Sequence, residues 1–177
     1  MLMWCFENSN QYLPTYNDTG YYIGMANIDT RLVDLELTLP SPPKPMATYA
    51  TAVRLGDLLY VSGTGPLRPD GTYVSGRLGA ELDVAAGQAA AKLCALAVLA
   101  TVRAQVGSLD HVARLVKVLG FVNATPEFAD HPQVMNGFSD LMVQIFGDAG
   151  LGARSAVGAP SLPAGIPVEV EAIFQLR

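Results

Sequence analysis

The segment VEVEAIFQL, residues 168–176, carries the clearest strand pattern in the sequence. Every second residue is apolar, and these residues are Val168, Val170, Ala172, Phe174 and Leu176. Successive side chains on a strand point to opposite faces, so this alternation predicts one dry face packed on a core. The segment that follows Pro167 is therefore predicted to be a central strand of a sheet.

Glu169, Glu171, Ile173 and Gln175 form the other face of this strand. The two carboxylates would project from the same sheet face, about 6.6 Å apart along the strand. They are either an exposed polar face or a pair for acid–base chemistry of the kind found in glycosidases. No cluster of tryptophans accompanies them, so nothing else in the sequence supports a sugar site.

The rest of the sequence adds strands and two long helices. We expect strands at 52–55, 57–62, 111–123 and 154–158, a short strand within 68–76, and helices at 82–106 and 132–146. In the strand 111–123, Val112, Val116, Val118 and Val122 would share one face, and Leu115, Leu119 and Phe121 the other. Helices and strands interleave only partly, which indicates an α+β fold: a mixed sheet with two helices on one face. The uncovered sheet face then favours self-association.

The N-terminal part differs in composition from the remainder. Residues 1–24 hold the only tryptophan and no sustained period, so we interpret them as an extension that does not belong to the native protein, with the start at Met25; a partly packed arm is the alternative. Residues 25–177 are then one domain, with an additional helix at about 27–39 that begins at the N-cap Asn27. The proline-rich stretch Pro40–Pro45 ends that helix.

Composition excludes several classes of protein. Lys and Arg number 11 against 16 Asp and Glu, so the net charge of −5 argues against nucleic-acid binding. Cys5 and Cys94 have no metal-binding spacing, and with two histidines no metal site or cofactor is expected. The longest apolar run, Leu93–Val102, is too short for a bilayer, and no basic leader precedes an apolar stretch. A cytoplasmic protein without a membrane partner is expected.

A few residues could carry chemistry. Arg154, in the small-residue context GARSAVG, is either a structural cation or a planar fork for a ligand carboxylate. The loop from Ser62 to Gly65 offers backbone donors or is a simple turn. His111 and His131 are expected at the surface rather than in a catalytic site, and Cys94 as an inert core thiol.

Three motifs together resemble a known family. They are LLYVSGTGP (58–66), VMNGFSDLMVQIFG (134–147), and ARSAVGAPSL followed after a short gap by VEVEAI (153–173). In this order they resemble the RidA/YjgF family of imine and enamine deaminases, also labelled endoribonuclease L-PSP-like. Thr64 stands where the family has Gln, and Gly152 and Val170 also depart from its pattern, which indicates a divergent branch.

The resemblance implies a chorismate-mutase-like (bacillar) fold that assembles as a homotrimer with sites between subunits. It implies hydrolysis of 2-imino or enamino acids, such as 2-aminoacrylate, to 2-oxo acids and ammonia, without cofactor or metal. Arg154 would bind the substrate carboxylate and Glu169 would activate water from a neighbouring strand. Tyr49, Ser62, Gly63 and Asn136 would line the pocket.

Three other functions remain open. A non-catalytic or regulatory protein could keep the carboxylate contact without turnover. An endoribonuclease is suggested by the family's label, although the acidic charge counts against it. Chorismate-mutase activity is suggested by the fold alone, which is a weak basis for function.

Overall fold

A computed structural model describes residues 27–177, so the expectations for residues 1–24 and for Cys5 lie outside the described residues. The helices are α1 (Ile28–Asp34), α2 (Val84–Val106) and α3 (His131–Phe146). The strands are β1 (Ala52–Leu55), β2 (Leu58–Thr64), β3 (Val112–Asn123), β4 (Ala153–Ala159) and β5 (Val168–Leu176). They form one sheet in the order β1-β2-β5-β3-β4. Only β3 and β4 pair in parallel, so the predicted mixed α+β fold is confirmed.

β5 lies at the centre of the sheet, between β2 and β3. All five residues of its predicted dry face are at most 5% exposed, and they pack beneath α2 and α3. The apolar alternation of this strand was sufficient to predict both its position and its buried face.

The predicted faces of β3 are wrong in its first half. Val116 is 36% exposed, whereas its neighbour Leu115 is 2% exposed. The register against β5 shifts twice, between Val112 and Arg114 and between Leu115 and Lys117. Each shift places two residues of β3 opposite one of β5, as in a β-bulge, and so reverses the alternation that the sequence suggested.

α2 is the core helix. The Asp83 side chain accepts a hydrogen bond from the Ala86 amide at its start, and Gly107, at φ 84°, ends it. By length and mean hydropathy of 1.6 the helix could cross a membrane, but 61% of its most apolar window is buried inside the fold. The apolar run Leu93–Val102 covers less than half of α2. The helix is apolar over a longer stretch, because buried alanines extend its apolar surface.

Two predicted elements are shorter than expected. α1 ends at Asp34 rather than Leu39, because Glu36 adopts a left-handed φ of 54° and the chain then runs extended into the prolines. The strand expected within 68–76 is a turn with one isolated pairing, Leu67 with Tyr73.

The sheet face opposite α2 and α3 keeps large apolar side chains in water. Val53, Tyr60 and Val157 lie on it and are 56%, 40% and 41% exposed. An apolar face of this kind is typical of a surface that another protein surface covers.

Candidate functional site

The carboxylate of Glu169 lies against Gly63. A side chain at position 63 would collide with Glu169 Oε1. The pairing of β2 with β5 is interrupted between Val61 and Thr64, so β2 leaves the regular ladder at this point. The glycine and the interruption together make room for the carboxylate beside the end of β2.

A cavity of about 490 Å³ opens next to this carboxylate. Four of the residues that the resemblance placed in the pocket or in catalysis line it, namely Tyr49, Ser62, Gly63 and Glu169. The cavity also receives Thr101 from α2, Tyr73 from the turn after β2, and Ile166 from the loop before β5. Its size is within the range of small-molecule sites.

The environment of Glu169 favours its protonated form. Partial burial, and then the negative charge of Glu171, raise the pKa of Glu169 above its usual value. Glu171 is exposed and lies in a different groove, with Lys117 and Tyr60. The two carboxylates therefore have different surroundings, and only Glu169 lines the cavity.

Three of the four aliphatic hydroxyls that line the cavity, those of Ser62, Thr64 and Thr101, donate their protons to backbone carbonyls. Ser62 Oγ donates to Ala50 O at 2.7 Å and Thr64 Oγ1 to Ser62 O at 2.9 Å. Thr101 Oγ1 donates to Ala97 O at 3.2 Å. Their oxygens can still accept a hydrogen bond, so the Ser62 hydroxyl could orient a water molecule or a protonated imine nitrogen.

Arg154 lies elsewhere and is held by α3. One guanidinium nitrogen donates to Asn136 Oδ1 at 3.1 Å and to Ser139 Oγ at 3.0 Å. The second terminal nitrogen, Nη2, donates to Pro132 O at 3.2 Å. Arg154 and Asn136, both predicted for the pocket, are therefore together, but neither lines the cavity of Glu169.

The sequence analysis expected Arg154 and Glu169 on neighbouring strands, and this expectation is wrong. β3 lies between β4 and β5, and the register places Arg154 opposite Val118 but Glu169 opposite Phe121. Two strand spacings and three residues of rise separate their Cα atoms by on the order of 14 Å. A single chain does not bring this cation and this carboxylate into one site.

Sequence reasoning missed several residues of the site. Lys44 is the one Lys or Arg that lines the cavity within residues 27–177. A cation enclosed by prolines was a usable signal, as was Thr101, a hydroxyl at the end of an apolar run. Tyr73 was missed because its segment was interpreted as a strand.

The other reactive side chains lie outside the cavity lining. Cys94 is fully buried, and burial raises the pKa of its thiol well above the usual value, which confirms an inert core thiol. His111 Nδ1 pairs with Val106 O, and His131 packs edge-on against Phe128. The part of the chain that the structure describes contains no cluster of His, Cys, Asp or Glu suited to a metal ion.

The sequence matches one protein family over most of its length. The profile described as "YjgF/chorismate mutase-like, putative endoribonuclease" covers residues 29–171, from α1 into β5. Protein TCP17 of Trypanosoma cruzi is 41% identical over 156 residues, which are 88% of this chain and 98% of that protein.

Solved structures share the fold. The protein Atu1372 of Agrobacterium tumefaciens, described as of unknown function, is 41% identical with a TM-score of 0.78, over 85% of this chain and 94% of that one. RidA from an Antarctic Psychrobacter species is 26% identical with a TM-score of 0.55, over 77% and 94% of the two chains.

Proposed function

The chain belongs to the YjgF/RidA family, and from that premise we propose that it hydrolyses 2-imino and enamino acids, such as 2-aminoacrylate, to 2-oxo acids and ammonia. The observation that carries the proposal is the half-buried carboxylate of Glu169, with its raised pKa, at the wall of a cavity of small-molecule size. The deaminase activity is what the resemblance to the RidA/YjgF family implies, and this geometry supports it for this chain.

In the proposed reaction, Glu169 takes a proton from water as the water oxygen bonds to the carbon of the protonated imine. The C=N double bond becomes a single bond and yields a carbinolamine. Glu169 then returns the proton to nitrogen and accepts the proton of the carbinolamine hydroxyl as the C–N bond breaks, so that ammonia and the 2-oxo acid leave. A carboxyl whose pKa is raised above its usual value suits both steps, because it can accept a proton and give it back.

The substrate carboxylate needs a cation, and we assign this role to Arg154 of a neighbouring copy in a homotrimer. The distance between Arg154 and Glu169 within one chain supports a site shared between subunits. The exposed apolar sheet face around Val53, Tyr60 and Val157 supports the assembly. Lys44 is the alternative cation, since it already lines the cavity.

The rival interpretation is a binding protein without turnover, in which Lys44 rather than Arg154 would hold the ligand carboxylate at the cavity. An endoribonuclease is less consistent with a net charge of −5 and a cavity lined by one cation within residues 27–177. A cytoplasmic location is part of the proposal. It rests on the two cysteines of the sequence, Cys5 and Cys94, whose spacing is not typical of a disulfide framework.

A coupled assay tests the proposal. A dehydratase acting on serine generates 2-aminoacrylate, semicarbazide traps it, and the trapped product is measured with and without this protein. We expect less trapped product and faster formation of pyruvate. If the rates are unchanged but calorimetry detects binding of 2-oxobutyrate, the binding protein is supported instead; if neither is seen, both are contradicted.

A further inference from the structure

The cavity beside Glu169 is larger than a three-carbon imine requires. Its volume of about 490 Å³ falls within the roughly 300–1,000 Å³ of sites that enclose drug-sized molecules. Accepting the proposed function, we propose that this site prefers 2-imino acids with a large apolar side chain, aromatic or branched aliphatic, over the imines of alanine and serine.

Apolar groups form most of the cavity wall. The contributing residues are Pro43, Met46, Tyr49, Tyr73, Pro163 and Ile166. The rim and the floor differ in exposure: Met46 is 71% exposed, whereas Ile166 is 6% and Thr101 2% exposed. An apolar side chain that reached the floor would leave water completely, and this burial drives binding.

The hydroxyl protons at the floor of the cavity are already donated to backbone carbonyls. Thr64 donates to the carbonyl of Ser62 and Thr101 to the carbonyl of Ala97. Glu169 is the one carboxylate and Lys44 the one cation in this lining, within residues 27–177. A polar side chain at the floor would find few free donors, and an unpaired buried polar group loses binding energy.

The wild-type protein provides the first test. An L-amino-acid oxidase, with catalase present, generates the imines of phenylalanine, leucine and alanine in situ. We expect kcat/KM for the phenylalanine and leucine imines to exceed that for the alanine imine about 10-fold or more, since a single methylene in an apolar pocket is worth about 10–200-fold. Equal values for the three imines would overturn the proposal.

A pair of matched variants tests the cavity itself. Ala47 lines it and Thr48 does not, although both are exposed neighbours in the same segment. We expect Ala47→Phe to reduce kcat/KM about 10-fold more for the phenylalanine imine than for the alanine imine, and Thr48→Phe to leave both unchanged. Equal effects of the two variants on the two imines would contradict this assignment of the cavity.

Binding separates this inference from the proposed function. Titration calorimetry of phenylpyruvate and pyruvate requires no turnover. If no imine is hydrolysed, the proposed function fails, yet about 10-fold tighter binding of phenylpyruvate that is lost in Ala47→Phe still supports the apolar site. Equal binding of the two 2-oxo acids contradicts it whatever the activity.

Discussion

Glu169 and Glu171 share a strand face but not an environment. Glu169 is half-buried beside Gly63, and Glu171 is exposed. We expect Glu169→Gln, which keeps the shape but cannot accept a proton, to reduce kcat about 10²–10⁴-fold. Glu171→Gln is the control and should cost much less. Steady-state rates with an imine made in situ check this, and equal large losses would instead support a coupled carboxylate pair.

The guanidinium of Arg154 offers a fork that lysine cannot reproduce. Replacing it by lysine keeps the charge but removes the two-point hydrogen bonding of the fork. We therefore expect a loss of about 1.5–3 kcal/mol, which is roughly 10–150-fold in kcat/KM. Arg114→Lys, at an exposed position of β3, should leave kcat/KM unchanged. A wild-type rate in Arg154→Lys would indicate that Lys44, not Arg154, binds the substrate carboxylate. Lys44→Gln would then show the loss in kcat/KM.

The pH profile reports the pKa of Glu169. The proposed base must be ionised, so activity falls as pH falls through that pKa. Burial and Glu171 raise it above 4.5, and the acidic limb should therefore lie at a higher pH than for an ordinary glutamate. Glu171→Gln removes one raising charge and should move the limb to lower pH. A kcat/KM profile from about pH 4 to 8 measures the acidic limb in the wild type and in Glu171→Gln. An unchanged limb in the variant would contradict the effect of Glu171 on the pKa of Glu169.

The contact between α2 and α3 depends on a glycine. A Cβ at Gly137 would collide with the backbone of Gln88, so the helices approach backbone to backbone. Helix propensity alone predicts that Gly137→Ala stabilises α3 by about 1 kcal/mol. We expect destabilisation of about 1–3 kcal/mol instead, because the close contact must open. Urea unfolding measures it, with Asp140→Ala on the exposed side of α3 as the control.

Elements with a strong local signal were predictable from the sequence. β5 and α2 carry uninterrupted patterns, and their ends coincide with a proline and with capping residues. The bulges of β3 were not predictable, because they arise from pairing with β5 and leave no mark in the local sequence. The end of α1 was also missed, since its leucines continue to pack on the core after the helix has ended.

Part of the candidate site could be named from the sequence through the family resemblance. Tyr49, Ser62, Gly63 and Glu169 line one cavity, and their roles in binding and catalysis stay predictions. The separation of Arg154 follows from strand order, with β3 inserted between β4 and β5, and sequence alone did not provide that order. Lys44 and Tyr73 reach the cavity from segments without regular structure, where periodicity carries no information.

At the scale of the whole molecule, the apolar sheet face should be covered by further copies. We expect light scattering to give about three times the chain mass of 18.7 kDa at micromolar concentration. Val157→Lys places a charge on this face and should yield monomers with much lower activity. Val33→Lys, on α1 and 74% exposed, should leave the assembly intact. A monomeric wild type that retains activity would contradict the shared site.

The central position of β5 also affects how the protein is made. α2 is complete at residue 106, yet the sheet that covers it cannot close until residues 168–176 have left the ribosome. At a synthesis rate of about 5–20 residues per second, the nascent chain leaves α2, a helix apolar enough to cross a membrane, exposed for on the order of seconds. Chaperones that shield apolar segments are therefore expected to engage this chain during synthesis, and targeting factors for membrane insertion would compete with them for α2.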